Sequence, residues 1–407
     1  MTPSLLPRLP LPPPLRGRDI PSFTHISIVE RLPEIGKRVL QENELLPEAD
    51  QALRRLLAEI PDGKIRPLEI PLAPDASAWM AYTAPYLGQD WLEIPWFFAE
   101  HYFYARVLEA TGYYFPGPGE GKDPFRIQKR LGLQAARASI TSLAERLSAP
   151  AQAGWDETSL RSLIAIDLWG NLTDLSRWPA PKDGLAAETA FQPNPERILV
   201  DDSAAASKTL TDPSGGPGRV DFLLDNVGLE LVCDLCLTAA LLHSGMAAQV
   251  QLHVKAAPVF VSDVTIPDLL YTLDTLAAAA DPAVSGLGRG LQSSLENSRL
   301  LLREDPFWTS PLPLWEMPAE LRQTLTQARM IIAKGDANYR RVLGDRHWPP
   351  VTPLSQVASY LPAPLLALRT LKSEVVVGLA PGQAEITALA DPDWMNDGQW
   401  GLIQTVR

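Results

Sequence analysis

The stretch Phe222-Leu223-Leu224-Asp225-Asn226-Val227-Gly228-Leu229-Glu230 ends an apolar run in an Asp-Asn pair and then opens an amphipathic segment. A carboxylate and a carboxamide side by side at a strand end offer hard oxygen ligands to a divalent cation. A helix that follows turns its unpaired amides towards the same point. Two further stretches share the design. Val259-Phe260-Val261-Ser262-Asp263 ends an apolar run in a carboxylate, and Met330-Ile331-Ile332-Ala333-Lys334-Gly335-Asp336 ends one in a lysine beside a glycine and an acid. Together they supply two acids, an amide and a cation, a set able to hold a metal ion and a phosphate.

Each piece has a plainer reading. Asp-Asn after a strand can be a turn or a helix cap. Asp263 precedes Thr265 and Pro267, a helix start, so capping explains it nearly as well as ligation. Lys334-Gly335-Asp336 alone is an ordinary turn. The repetition of polar strand ends favours a site. Gly286-Leu287-Gly288-Arg289-Gly290 does not follow a strand and lacks a Gly-Lys-Ser/Thr ending, so it is no phosphate loop. His25, His101, His243, His253 and His347 are scattered without a zinc-hydrolase spacing, and no Gly-x-Ser-x-Gly elbow occurs. Cys233 and Cys236 fall within a helical apolar pattern, with no second pair to complete a zinc site. They read as buried packing residues in a reducing cytoplasm.

The elements that must position these residues change character near residue 155. Before it, Pro47 to Glu59, Pro95 to Ala110 and Gln128 to Leu147 have helical periodicity, interrupted by Gly- and Pro-rich stretches such as Pro116 to Gly121. After it, candidate strands (Arg197 to Val200, Val220 to Leu224, Gln249 to Val254, Ser298 to Leu302, Arg329 to Ala333, Leu365 to Leu368) alternate with candidate helices. The helices are Leu229 to His243, Ile266 to Ala280, Gly286 to Leu295 and Pro318 to Gln327. This predicts an α/β fold: a mostly parallel sheet flanked by helices in three layers, at 156–407, after a largely helical N-terminal domain at 21–155. In such sheets ligands collect beyond the carboxyl ends of the strands. Asp225, Asn226, Asp263 and Lys334 all fall at such ends.

Composition sets the outer bounds. A chain of 407 residues, 46% hydrophobic, can bury a large core. No apolar run is long enough to span a membrane, and the first fifteen residues carry six prolines, a mobile lead (1–20) rather than a signal core. A net charge of −12 argues against nucleic-acid or acidic-membrane partners. A small anionic substrate then needs a locally basic pocket.

These residues resemble a known family. Leu224 to Glu230, Ser262-Asp263-Val264-Thr265 and Lys334-Gly335-Asp336-Ala337-Asn338-Tyr339-Arg340-Arg341 are similar to motifs of the damage-control phosphatase family, also called the acidic-residue methyltransferase family. The spacing between Asp225 and Asp263 agrees. Trp96-Phe97-Phe98-Ala99-Glu100-His101-Tyr102-Phe103-Tyr104, Asp123-Pro124-Phe125, Leu168 to Ser176 and Leu314 to Pro318 extend the likeness over roughly residues 20 to 380. Val227 stands where an alanine is expected, which leaves the ligand positions intact.

The resemblance implies a metal-dependent phosphomonoester hydrolase acting on sugar phosphates or other damaged phosphometabolites, with an α/β core. It places the metal at Asp225, Asn226 and Asp263, and a phosphate-contacting cation at Lys334. Carboxylate and carboxamide oxygens suit Mg²⁺, Mn²⁺, Co²⁺ or Ni²⁺. Either Asp225 or Asp263 could orient a water, or one could attack phosphorus directly. Glu100, Asn171 and Asp174 are candidates for substrate contacts, while the tryptophans at 96, 169 and 315 read as core. Asp336, Asn338 and Arg341 would shape the lysine loop, with Arg340 or Arg341 open to a phosphate contact or a structural ion pair. The expected partner is a small phosphorylated metabolite in the cytoplasm.

Two readings from other classes compete. Carboxyl methylation by S-adenosylmethionine needs no divalent metal, and no glycine-rich strand-to-helix loop with a ribose-binding acid is present. A non-catalytic module with a structural ion would be expected to surround the metal fully with protein oxygens, without an added lysine.

Overall fold

The structure, a computed structural model, describes residues 5–19, 22–170, 194–212, 214 and 216–407. Its N-terminal part is helical: α1 (Phe23–Ile26), a π-helical turn (Ser27–Arg31), α2 (Leu32–Glu42), α3 (Pro47–Glu59), α4 (Ala76–Thr83) and α5 (Trp96–Ala110), then α6 (Arg126–Ala135), α7 (Arg137–Ala153) and α8 (Glu157–Gly170). Helices therefore continue past 155. The periodic stretch Gln128 to Leu147 divides into two helices, α6 and α7.

From residue 194 strands and helices alternate. They are β1 (Ile198–Asp201), α9 (Ser203–Thr211), β2 (Gly218–Leu223), α10 (Leu229–His243), β3 (Ala247–Lys255), α11 (Ile266–Ala277), α12 (Pro282–Glu296) and β4 (Leu300–Asp305). After these come α13 (Ala319–Thr326), β5 (Ala328–Lys334), α14 (Gly335–Leu343), α15 (Leu354–Val357), β6 (Leu365–Thr370), α16 (Gln383–Ala390) and β7 (Gly401–Val406).

One seven-stranded sheet has the order β1-β7-β6-β5-β2-β3-β4. The five strands from β6 to β4 are mutually parallel, whereas β7 runs antiparallel to β6 and parallel to β1. Central strands of a parallel sheet are covered on both faces, which is why β5 and β6 read as continuous apolar runs and not as alternating patterns. The apolar core is continuous. It joins Leu32, Trp91 and Trp96 of the helical part to Phe222, Leu252 and Ile332 of the sheet.

Two expectations need correction. Val259-Phe260-Val261 is not a strand: Phe260 and Val261 hold φ of 51° and 66° in the loop after β3. A β-branched residue avoids that left-handed region, so tertiary contacts hold it there. The Pro-rich lead, expected to be mobile, is fixed along the body over its described residues. Leu15 N donates to Asp345 O (3.3 Å), Arg18 N to Leu92 O (3.1 Å), and Trp96 N donates to Leu15 O (2.8 Å). Among the described residues no helix is long and apolar enough to cross a membrane.

Candidate active site

Strands β2 and β3 leave the sheet side by side, and the loops after them are tied together. Val264 N donates to Asp225 O and Val227 N to Ser262 O, both at 2.8 Å, and Asn226 pairs with Asp263 as an isolated antiparallel bridge. The Asp225-Asn226 pair and Asp263, far apart in sequence, thus meet beyond the carboxyl ends of the strands, as expected. Phe260 and Val261 bend the second loop so that Ser262 and Asp263 turn back onto the first. The Ser262 hydroxyl donates to Asn226 Oδ1 at 2.6 Å, and the Asn226 amide donates to Asp225 Oδ2 and Glu230 Oε2 at 2.8 Å each. All three candidate ligands are buried.

The third motif passes from β5 directly into α14, without a loop. Gly335 is the first helical residue, at φ 76°, and a Cβ there would overlap the Asp225 carboxylate. Only glycine lets that carboxylate seat against the start of α14, where unpaired amides favour negative charge. Asn338 ties the unit together. Its Nδ2 donates to Leu223 O, Leu224 O and Lys334 O at 3.2, 3.1 and 2.9 Å.

A narrow cleft opens at this point, lined by Asp225, Asn226, Phe260 and Asp263 from the ligand loops, and Asp336, Ala337 and Arg340 from α14. Phe23, Arg31, Trp96, Glu100 and Lys372 close the other side. Glu100 is therefore in the cleft as expected, but its role differs. Both its oxygens are taken by guanidinium groups, Oε1 by Arg31 and Oε2 by Arg340 at 2.6 Å. Arg340 also pairs with Asp345 at 2.7 Å and lies 3.6 Å over the Trp96 ring. Burial opposes the Arg340 charge, yet Asp345 and Glu100 outweigh it and raise its pKa.

Lys334 is not a phosphate contact. Its ammonium is fully buried behind the site, bonded to Asp167 Oδ1 at 2.7 Å, with Asp234 Oδ1 at 3.1 Å outside hydrogen-bond direction. Burial alone would lower its pKa, but Asp167, Asp234 and Glu230 reverse the effect and raise it. Burial likewise pushes the Asp234 carboxyl well above the usual carboxylate range.

Arg341 is also structural. It donates to Leu312 O (2.6 Å), Trp308 O (3.1 Å) and His101 Nε2 (3.1 Å), away from the cleft. Asn171 and Asp174 lie outside the described residues. Asp263 does not cap α11: Thr265 is the cap residue, its backbone N–H and hydroxyl donating to Asp268 Oδ2 at 3.2 and 2.7 Å.

Sequence reasoning missed three cations. Lys255, at the end of β3, reaches Asp263 Oδ2 and Leu224 O, each at 3.1 Å. Lys372 follows β6, its backbone N–H donating to Asp336 Oδ1 at 3.2 Å. Arg31 comes from the N-terminal π turn. Lys255 alone carried a signal, since it ends the candidate strand Gln249 to Val254 much as Lys334 ends its own.

The donor set fits a hard divalent cation. Every candidate ligand atom is a carboxylate or carboxamide oxygen, a carboxylate offers about four lone pairs, and the Gly335 cradle holds Asp225 in place. Among the described residues no three His, Cys, Asp or Glu side chains are grouped closely enough to hold an ion. The set therefore depends on Asn226.

Comparison with known proteins agrees with the motifs. The chain matches the family model for the damage-control phosphatase ARMT1-like domain over residues 27–387. It is 34% identical to damage-control phosphatase ARMT1 of Danio rerio over 94% of either chain. For the protein of that name from Mus musculus, the figure is 31% over 96% of this chain and 97% of the relative. A crystal structure of a DUF89 family protein from Pyrococcus horikoshii superposes with a TM-score of 0.50 at 15% identity, covering 94% of this chain and 98% of that one. At that identity the likeness shows the fold alone.

Proposed function

The chain belongs to the damage-control phosphatase ARMT1-like domain family, and from that premise we propose that it is a metal-dependent phosphatase of small phosphomonoesters such as sugar phosphates or damaged phosphometabolites. The observation that carries this reading is the meeting of Asp225, Asn226 and Asp263 with Arg31 and Lys372 in one cleft at the start of α14.

Charge supports it. Four carboxylates (Glu100, Asp225, Asp263, Asp336) line the cleft against three cations (Arg31, Arg340, Lys372), so the residues alone would repel a phosphate dianion. A divalent ion reverses that balance. Asp225, Asn226 and Asp263 would hold it, and Mg²⁺, Mn²⁺, Co²⁺ or Ni²⁺ supplies Lewis-acid neutralisation of phosphoryl oxygens. The remaining work belongs to the chain. Lys255 pairs with Asp263 and orients its carboxylate. Lys372 and the first amides of α14 would offset charge on the equatorial oxygens of a phosphate in the cleft. Asp225 or Asp263 orients the attacking water. Glu100 holds Arg31 and Arg340 at the cleft wall and does not read sugar hydroxyls itself.

The cleft has room for water-sized groups of only about 30 Å³, the scale of an ion and a water. The organic part of an ester then extends out of the cleft, which suits a range of small alcohols. Carboxyl methylation has less support, because the cleft gathers hard oxygen donors and cations and the sequence has no ribose-binding acid after a glycine-rich turn.

The deciding experiment is a phosphatase screen over phosphometabolites with several divalent ions. Phosphate release should stop in excess chelator and return with added Mn²⁺, Co²⁺, Ni²⁺ or Mg²⁺. Undiminished turnover in chelator would refute the metal role.

A further inference from the structure

Three cations line the cleft, and they are not equivalent. Arg340 is fixed: 4% exposed, bonded to Asp345 through Nε and Nη2 and to Glu100 through Nη1, and stacked on Trp96. Arg31 is held on one side only. Its Nε and Nη2 donate to Ser27 Oγ at 3.2 and 2.8 Å, Nη2 also reaches Glu100 Oε1, and its Nη1 has no acceptor among the described residues. Its side chain is 20% exposed.

The backbone that carries it is also unusual. Ser27–Arg31 is a π-helical turn between α1 and α2, and such turns concentrate at functional sites because a helix pays for them in regular hydrogen bonding. Ser27 Oγ accepts from the guanidinium four residues on, and Arg31 lines the cleft.

We propose that Arg31 is a substrate-contacting residue that exchanges Glu100 for the phosphate of the bound ester, an assignment that rests on the phosphatase reading. The exchange is inexpensive because Glu100 is doubly held. When Arg31 turns away, Arg340 still pairs Glu100 Oε2 at 2.6 Å, so no buried carboxylate is stranded. A planar guanidinium can then meet two phosphoryl oxygens at once, which Lys372 cannot do. Arg31 thereby selects a dianionic phosphate over a singly charged group such as a carboxylate.

The test uses the metal-loaded full chain with inorganic phosphate as probe. In the wild type, phosphate should slow phenylglyoxal modification of Arg31, followed by peptide mass spectrometry, at least severalfold. Arg31→Gln removes the charge and the reach to Glu100, which Arg340 still holds through Oε2, while an amide donor remains at the level of Nε beside Ser27 Oγ. It should weaken inorganic phosphate binding, read by thermal-shift titration, roughly ten- to hundredfold, the worth of a charge-assisted hydrogen bond. KM for phosphomonoesters should rise with it and kcat should change less, while Arg31→Lys recovers part of the loss. A modification rate that phosphate leaves unchanged, or phosphate binding by Arg31→Gln within about twofold of wild type, overturns the assignment. A wild-type protein in which phosphate protects Arg31 but no phosphomonoester is hydrolysed with any divalent ion refutes the phosphatase reading and leaves the anion site standing.

Discussion

The Asp225 carboxylate occupies the space that a side chain at Gly335 would take, so the loop after β2 that carries the candidate ligands and the start of α14 are fitted to each other through a missing Cβ. Gly335 also holds φ 76°, where an L-residue is strained. Gly335→Ala should therefore displace Asp225 and lower kcat/KM by roughly a hundredfold or more, as when other preorganised charges are lost. Metal-dependent thermal stabilisation, which follows ligand concentration and Kd, should fall in parallel. An alanine variant with normal kcat/KM would mean that Asp225 needs no such seat.

Lys334 gives the second prediction, because burial and ion pairing make it a fold residue. Lys334→Met strands Asp167 in the interior, and breaking a buried pair costs about 3–5 kcal/mol. Lys334→Met combined with Asp167→Leu should recover much of that loss, since an apolar pair of similar volume removes both charges. Denaturant unfolding of the three proteins measures the coupling. A Lys334→Met protein of wild-type stability with weakened phosphate binding would restore the phosphate role.

The third prediction separates cap from ligand. Thr265→Ala removes the hydroxyl bonded to Asp268 and should cost about 1 kcal/mol of unfolding free energy, with kcat/KM within about twofold. Asp263→Asn removes the acid facing the cleft and should abolish metal-dependent turnover. It should also destabilise the metal-free protein, because Lys255 loses its carboxylate. Turnover retained in Asp263→Asn would remove Asp263 from the ligand set.

What the sequence disclosed divides along the range of the interactions. Periodicity located α3 and α10 to the residue, and the strand ends carrying Asp225 and Lys334, because those signals are local. The convergence of Asp225, Asn226 and Asp263 followed from one general property of parallel sheets. Lys334 was misread because its partners come from α8 and α10, and nothing near it in sequence marks it as paired. Val259-Phe260-Val261 looked like a strand because its composition is β-favouring, yet the loop bonds of Ser262 and Asp263 override that propensity. Arg31 was hidden for the same reason as Lys334: Glu100 and the cleft meet it only in the folded chain.

His101 supplies the last prediction, through pH. Its ring stands edge-on to Phe260 at 4.9 Å, so it buttresses the left-handed turn that delivers Asp263. Burial, and then the neighbouring Arg341, push its pKa well below 6.5, while the Phe97 carbonyl opposes them only partly. The imidazole is therefore neutral in the fold, with Nδ1 donating to Phe97 O at 2.7 Å and Nε2 accepting from Arg341 at 3.1 Å. Above pH 6.5 both folded and unfolded chains keep the ring neutral, and its contribution to stability is fully present. Below pH 6.5 the unfolded chain takes up a proton that the fold resists, so stability is lost as pH falls, by about 1.4 kcal/mol per pH unit for one proton. His101→Gln can keep both hydrogen bonds without titrating. Unfolding free energies measured between pH 6.5 and 5 should fall less steeply for His101→Gln than for wild type, by about that amount per unit, and equal slopes would show that His101 is not the group that titrates.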